Sequence, residues 1–378
     1  MRSEAVQHFR AVGERRGEAL ELVAFATEDG HVTEGVLRTP DGAVWYPVLA
    51  GVPCFLSGEL RPDLGEFAAR HGLPWAAPET PRSAASAHAT TVATFSDKWR
   101  RFRRYGLEPE HREFLFGWYC RKFGLADERD LRAFYRCRER VLEVGPGSGF
   151  NTRFIAENCP GDVVALDISE AAYTTYENTR SLANCVAVQG DLMEAPFADE
   201  SFDLIVADGV LHHTPDTRAA VAALYRKLRP AGQFFFYLYK RMGALRRFAD
   251  EYIREHFTRL DPEACYAACE AITELGRELG RLNARVTLTK PIDVLGIPAG
   301  THDVQRLVYY NIVKCFWNEA FDFDTNNMVN FDWYHPRHAW QHSPDEVAQW
   351  LGEMGVAEWQ FNDANPNGIS VLLRKPPD

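Results

Sequence analysis

The sequence has no apolar run close to the roughly 20 residues of a membrane-spanning helix, and its first residues contain no apolar segment typical of a secretion signal. It also lacks an excess of basic residues. Its 53 acidic side chains outnumber its 42 lysines and arginines, which gives a net charge of -11. Binding to nucleic-acid phosphates needs a basic surface. We therefore expect a cytoplasmic protein that binds neither a membrane nor a nucleic acid, and the sequence leaves its oligomeric state open.

Paired metal-binding cysteines are absent as well. The chain has eight cysteines, and none belongs to a Cys-x-x-Cys pair. Cys265 and Cys269 lie one helical turn apart, but no second pair of ligands nearby completes a tetrahedral site. The sequence therefore predicts reduced thiols and no bound metal.

The most informative segment is the stretch 141–149, where an apolar run ends in three glycines spaced two apart: Gly145, Gly147 and Gly149. Glycine permits positive φ angles and lets a ligand lie against bare backbone. A helical pattern resumes at Phe150. This strand-to-helix turn indicates a nucleoside cofactor.

The residues that follow the glycines strengthen this interpretation. Apolar runs and helical stretches alternate at the spacing of βαβ units. Asp167 ends the second apolar run, where an acid can hold a ribose diol. Glu143 precedes the turn and would repel a pyrophosphate, yet its carboxylate could accept hydrogen bonds from an ammonium group. A dinucleotide is therefore disfavoured, and no P-loop lysine follows the glycines.

With these motifs in order, residues 140 to about 240 resemble the class I S-adenosylmethionine (SAM) dependent methyltransferases that act on small molecules. The resemblance implies a Rossmann-like α/β sheet with helices on both faces and SAM as the co-substrate. It also implies the residues that contact SAM: Glu143, Gly145, Gly147, Gly149, Asp167, Ile168, Asp191, Leu192 and Asp208. One departure is Ala231, which replaces a usual glycine in the turn before the fifth strand.

A chain of 378 residues is long enough for two to three domains. We expect a β-rich unit at 1–60, a linker at 61–93, a helical lid at 94–138 and the SAM-binding core at 139–240. A mainly helical substrate cap, inserted after the fifth strand, should cover 241–342, and a final helix with a β-hairpin should cover 343–378. The phrase 46–56 resembles the end of the Trm112-like zinc-ribbon family. The zinc cysteines of that family are missing, so we expect a metal-free unit with a packing role.

The second half of the expected cap mixes aromatic and amide side chains, which suits either a closed pocket for a small polar ligand or a packed cap with hydrogen-bonded asparagines. The expected substrate contacts are Tyr237, Asn311, Lys314, Asn330, Trp333, Tyr334 and Arg337. The candidate catalytic residues are two histidines, as general bases, and two tyrosines, whose rings can face a sulfonium: His212, His213, Tyr309 and Tyr310.

The methyl carbon of SAM is already activated, so an enzyme mainly has to align the acceptor and exclude water. We expect methyl transfer to a small metabolite or an intermediate of secondary metabolism. Two alternatives stay open. One is a cyclase or lyase that breaks a different C–S bond of SAM and releases methylthioadenosine, for example while forming azetidine-2-carboxylate. The other is a SAM-binding partner subunit without catalysis.

Overall fold

The computed structural model describes residues 1–75, 86–362 and 366–377. Most of the Pro/Ala/Ser-rich part of the expected linker, at 76–85, lies outside the described residues. The N-terminal unit is an antiparallel sheet of four strands: β1 (Glu21–Glu28), β2 (His31–Arg38), β3 (Trp45–Leu49) and β4 (Val52–Pro53). Its resemblance to the Trm112-like family stays a prediction.

The expected linker contains a helix, α1 (Gly65–His71), which packs on the N-terminal sheet. The Phe67 ring stacks on Trp45 with the ring centroids 6.0 Å apart. Three further helices precede the core: α2 (Ala87–Arg101), α3 (Pro109–Phe123) and α4 (Glu128–Arg136). Helix α2 begins before the expected start of the lid at 94, because the Ser86 side chain caps it by accepting a hydrogen bond from the Ala89 N–H.

The core alternates strands and helices: β5 (Arg140–Val144), α5 (Phe150–Asn158), β6 (Asp162–Asp167), α6 (Ala171–Thr179), β7 (Cys185–Gln189), β8 (Phe202–Asp208), α7 (Thr217–Lys227) and β9 (Leu228–Tyr239). These five strands are parallel. Helices cover both faces of a parallel sheet, which is why its strands are almost continuously apolar, as in the buried run 163–166.

The cap follows β9 and contains α8 (Ala244–Phe257), α9 (Pro262–Arg281), a hairpin of β10 (Arg285–Leu288) and β11 (Gly300–Asp303), α10 (Val304–Asn311) and α11 (Phe323–Tyr334). The chain then returns to the core through α12 (Pro344–Glu353), β12 (Glu358–Asn362) and β13 (Gly368–Arg374). Ser343 and Glu346 form a capping box at the start of α12.

The main sheet has the strand order β12-β13-β9-β8-β5-β6-β7, with β12 and β13 antiparallel to their neighbours. The expected fold class is confirmed: a Rossmann-like α/β sheet, a small N-terminal β unit and a mainly helical cap after the fifth strand. The N-terminal unit lies against the β7 edge, where the Phe55 N–H donates to the Gln189 carbonyl at 2.7 Å. One hydrophobic core therefore spans both units.

Within the described part of the chain, no helix is long and apolar enough to cross a membrane. Nor does that part contain a group of three or more histidine, cysteine or acidic side chains placed to hold a metal ion.

Candidate active site

A cavity of about 610 Å³ lies at the carboxyl ends of the parallel strands, the edge at which open α/β sheets bind ligands. The core contributes to its wall the ends of β5, β6 and β8. Helices α2 and α3 contribute Trp99 and Trp118, and the cap contributes residues such as Trp333. The core motifs and the cap thus face one shared space.

The glycine turn after β5 is held in a conformation that requires glycine. Gly145, Gly147 and Gly149 have φ angles of 67°, 60° and 79°. A Cβ atom on Gly147 would lie 2.4 Å from Cζ2 of Trp99, and one on Gly145 would lie 2.3 Å from Cγ2 of Val210. Helix α2 therefore lies directly on the backbone of this turn, and the turn excludes side chains for steric as well as conformational reasons.

Glu143 lies beside the turn and lines the cavity, although only 3% of it is exposed. Its carboxylate accepts hydrogen bonds from Nδ2 of Asn151 at 2.7 Å and from the Thr152 hydroxyl. Burial raises the pKa of Glu143 to about 7. A cationic group placed here would stabilise the carboxylate form.

Two further carboxylates line the cavity just after neighbouring strands. Asp167, at the end of β6, accepts hydrogen bonds from the N–H and the hydroxyl of Ser169 at 2.8 and 2.7 Å, and burial raises its pKa. Asp191 follows β7 and accepts from the Met193 N–H at 2.8 Å. Ile168 and Leu192 lie next to these acids on the same wall. Both carboxylates are thus held by backbone contacts in fixed positions.

Asp208, at the end of β8, has a partner that the sequence did not reveal. Lys122, on α3, donates to both of its carboxylate oxygens at 2.6 and 2.7 Å. The Lys122 ammonium also lies 3.2 Å from the centre of the Trp118 ring. Burial lowers the pKa of Lys122, and the Asp208 carboxylate opposes that change. Asp208 therefore lines the cavity as half of a buried ion pair.

The two candidate histidines differ in position. His213 lines the cavity, and its Nδ1 lies 2.7 Å from the His338 carbonyl, which can only accept a hydrogen bond. Nδ1 therefore carries the proton and Nε2 is left as the basic nitrogen. Burial lowers the pKa of His213 to about 4, so the ring is neutral.

His212 does not line the cavity. It is fully buried and stacks on the Tyr239 ring at 3.7 Å. Burial lowers its pKa well below the usual range. The short helical turn 211–213 directs the two neighbouring histidines to different surroundings. The catalytic role expected of His212 stays a prediction that its position does not support.

The expected ligand contacts divide into two groups. Five of them line the cavity: Tyr237, Tyr309, Tyr310, Lys314 and Trp333. Four do not: Asn311, Asn330, Tyr334 and Arg337. The Asn311 amide donates to the Leu307 carbonyl, and Arg337 is exposed. Asn330 accepts a hydrogen bond from the Phe316 N–H at 2.8 Å. The polar groups of these four residues serve the cap itself or face outward, so their expected substrate contacts stay predictions that the cavity lining does not support.

Tyr334 belongs to a buried hydrogen-bond network centred on Asp250 of α8. No sequence pattern indicated this network. The Asp250 carboxylate accepts hydrogen bonds from Nε of Arg246 at 2.5 Å, Nε1 of Trp333 at 3.0 Å and the Tyr334 hydroxyl at 3.1 Å. It also accepts from the Lys314 backbone N–H at 3.0 Å. Asp250 thereby fixes the backbone and rings that form the cap side of the cavity.

A second ion pair joins the cap to α2. Lys98 donates to Asp332 at 2.5 Å, and both residues line the cavity. Lys98 also lies 4.5 Å from the centre of the Trp99 ring, which covers Gly147. Helix α2 therefore contacts both the glycine turn and the cap. The sequence of α2 gave no signal that its single lysine would reach α11.

Comparisons with known proteins agree with this geometry. Residues 142–236 match the family model described as a methyltransferase domain. The chain is 31% identical over 99 residues to 2-methyl-6-phytyl-1,4-hydroquinone methyltransferase 2, chloroplastic, of Oryza sativa subsp. japonica, covering 26% of this chain and 28% of that protein. It is 32% identical over 99 residues to the probable phthiotriol/phenolphthiotriol dimycocerosates methyltransferase 2 of Mycobacterium ulcerans (strain Agy99), covering 26% of this chain and 38% of that protein.

Among solved structures, the DhpI–SAH complex aligns at 16% identity with a TM-score of 0.41, covering 78% of this chain and 100% of that chain. The chain spans about a third of the length of the two curated methyltransferases, from Oryza sativa and Mycobacterium ulcerans, that it matches. Residues 142–236 thus match a methyltransferase domain, for which SAM is the methyl donor.

Proposed function

We propose that this protein is a SAM-dependent methyltransferase whose acceptor is a small metabolite or natural-product intermediate bound under the cap. One observation carries the proposal: a single cavity is lined both by the strand-end carboxylates of the methyltransferase domain and by residues of the cap, which lies outside the matched region. Its volume of about 610 Å³ falls within the range of small-molecule sites.

In this proposal, the glycine turn and Glu143 hold the methionine part of SAM, Asp167 binds the ribose hydroxyls, and Asp191 with Leu192 flanks the adenine. The residues fit these roles chemically. The bare backbone of the turn offers amide groups. Glu143 is a buried carboxyl group, and a neighbouring ammonium would stabilise its ionised form. Asp208 acts indirectly, because its carboxylate is already bound by Lys122.

SAM, when bound, supplies the activated methyl group, and the chain has to position the acceptor and exclude water. Trp99 and Trp333 belong to the walls that would shield this space. The neutral His213 ring can accept a proton on Nε2 from an acceptor hydroxyl or amine. Burial raises the pKa of Tyr309, so its hydroxyl stays neutral on the cap side of the cavity.

Calorimetric titration with SAM tests the cofactor site. The variant Asp167→Ala should lose binding, because the acid proposed to hold the ribose is removed. Asp162→Ala is the matched control, since Asp162 lies at the opposite end of the same strand, and it should bind like the wild type. Equal affinities for both variants would remove the basis of the site.

Mass spectrometry of the nucleoside products tests the reaction. Incubation with SAM and a pool of metabolites should yield S-adenosylhomocysteine together with a methylated acceptor. Methylthioadenosine formed from SAM alone, above a no-enzyme control, would instead show that a different C–S bond breaks. Tight SAM binding with neither product across the pool would contradict an enzymatic role and favour a partner subunit.

A further inference from the structure

The core and cap sides of the cavity carry opposite charge. The core wall contributes four acids, Glu143, Asp167, Asp191 and Asp208. Lys122 pairs with Asp208, and Nε2 of His88 lies 3.7 Å from the Asp191 carboxylate. The cap wall contributes three cations, Arg246, Arg306 and Lys314, and one acid, Asp332. This arrangement is notable in a chain whose net charge is -11. The core wall therefore suits a cationic ligand and the cap wall an anionic one.

Two of the charges on the cap wall are already neutralised. Asp332 is paired with Lys98 of α2, and Arg246 is paired with Asp250 behind the wall. Lys314 and Arg306 remain. Neither forms an ion pair with a carboxylate anywhere in the described ranges, 1–75, 86–362 and 366–377.

Lys314 is buried to more than nine-tenths, yet its ammonium group donates no hydrogen bond to any described residue. It lies 4.3 Å from the centre of the Trp333 ring, on the cavity wall. Burial lowers its pKa to about 8. The ammonium group faces the cavity without a hydrogen-bond acceptor from the described residues, and an anion in the cavity would supply one.

Arg306 supplies a second cation on the same wall. Its guanidinium makes one side-chain hydrogen bond, to the Trp317 carbonyl at 3.3 Å, so most of its donors are available. It lies 5.6 Å from the centre of the Tyr309 ring, and Arg246 lies 5.3 Å from the same ring. Aromatic rings around these cations offer an apolar surface to the rest of a ligand.

We propose that the methyl acceptor carries an acidic group, a carboxylate or a phosphate, and that Lys314 with Arg306 binds this group on the cap wall. The inference rests on the proposed function, since it assigns the acceptor to the cap side and SAM to the core side. The separation of charge orients the two substrates, because the sulfonium is attracted to the acidic wall and the anion to the basic wall.

The test uses probes that differ only in charge. Phenylacetate, indole-3-acetate and propionate are each compared with the corresponding primary amide, and phenyl phosphate is added to separate phosphate from carboxylate preference. Binding is measured by calorimetry on the full chain, alone and saturated with S-adenosylhomocysteine so that no turnover occurs. The variants are Lys314→Met, Lys314→Arg and the control Lys290→Met, which removes an exposed lysine of the cap.

We expect at least one anionic probe to bind about tenfold or more tightly than its neutral counterpart, the gain typical of a charged hydrogen bond. Lys314→Met should abolish this preference, Lys314→Arg should keep most of it, and Lys290→Met should have no effect. Equal binding of acids and amides, or no binding of any anion in the millimolar range, would overturn the inference.

SAM affinity distinguishes the remaining outcomes. If Lys314→Met weakens SAM binding as strongly as Asp167→Ala does, Lys314 serves the carboxylate of SAM and the inference is wrong. If the wild type binds no SAM but the free chain binds acids through Lys314, the proposed methyltransferase function fails while the anion site stands.

Discussion

Glycine at 147 sets how closely α2 approaches the core, since the Trp99 ring occupies the space in which a Cβ atom would lie. The same residue has a φ of 60°, which other residues adopt at a cost of about 1–2 kcal/mol. Backbone and packing thus select the same residue type at one position.

Gly147→Ala should therefore lower the free energy of unfolding by about 2 kcal/mol or more and weaken SAM binding, because Trp99 must move. Denaturant unfolding and calorimetry measure the two effects. Gly352→Ala is the matched control: this glycine lies in α12 with nothing within 4 Å of its Cβ position. It should raise stability by up to about 1 kcal/mol. Destabilisation of the same size in both variants would contradict the argument.

Glu143 gives the ligand-free protein a specific pH dependence. Its pKa is raised by burial from 4.5 to about 7, so the folded state holds this proton more tightly than the unfolded state. Its contribution to stability is fully present below pH 4.5 and is lost as the pH rises towards 7, by roughly 3 kcal/mol. In Glu143→Gln this dependence should be absent. Relative to Glu143→Gln, the free energy of unfolding of the wild type should therefore fall by roughly 3 kcal/mol when both proteins are measured from pH 4.5 to 8. A difference that stays constant with pH would show that Glu143 does not titrate in this way.

At the scale of elements, buried ion pairs hold helices of the lid to the sheet and the cap. Lys122 joins α3 to the end of β8, and Lys98 joins α2 to α11. Removing one partner of such a pair leaves an uncompensated charge away from water, which costs more than losing the pair as a whole.

Lys122→Met should therefore reduce the free energy of unfolding by about 3–5 kcal/mol, because Asp208 is left buried and unpaired. The double variant Lys122→Met/Asp208→Asn should recover most of that loss, since no buried charge remains. Chemical denaturation of the wild type, both single variants and the double variant forms a complete cycle. Additive losses in the double variant would mean that the two groups do not stabilise one another.

At the scale of the whole molecule, the N-terminal unit and the methyltransferase domain share one hydrophobic core. Phe9 is fully buried, and its ring lies 5.5 Å from Phe55 and 6.2 Å from Phe197 of the core domain. Cap and core are likewise joined, through the closing strands β12 and β13 and through the cavity walls. The N-terminal unit therefore acts as a structural extension of the sheet edge beyond β7.

Phe9→Ala should destabilise the whole protein by about 3–5 kcal/mol and keep a single unfolding transition. Phe248→Ala is the control, because it makes the same substitution at a phenylalanine of α8 that is 70% exposed. It should change the free energy of unfolding by less than about 0.5 kcal/mol. For Phe9→Ala, near-UV and far-UV circular dichroism should give the same unfolding midpoint. Separate transitions in Phe9→Ala would show that the N-terminal unit folds independently.

The parts of the site that depend on neighbours in sequence were predictable. Asp167 and Asp208 end strands, and the glycine turn and Asp191 follow strands closely, so the strand pattern alone puts them at one edge of the sheet. The capping box of α12 was predictable for the same reason, because both of its residues lie within one turn. Partners far apart in the chain, such as Lys122 and Asp208, gave no such signal.

The cap shows where composition misleads. Its asparagines, tyrosines and tryptophans suited either a ligand pocket or an internally bonded cap, and the structure places some of them at the cavity and hydrogen-bonds others within the cap. Tyr334 and Asn330 satisfy buried polar groups, while Trp333 also faces the cavity. Periodicity within a helix does not reveal which side chain meets Asp250 of another helix.

The sequence by itself determined the fold class and the position of the glycine turn and the strand-end acids, since each depends on local pattern and short spacing. Only the tertiary structure decided which cap residues reach the cavity, that Lys122 and Lys98 are buried in ion pairs, and that Lys314 is left without a carboxylate. These facts depend on which side chains, distant in sequence, come into contact in the buried interior, where an unpaired charge is destabilising. No local sequence pattern indicates those contacts.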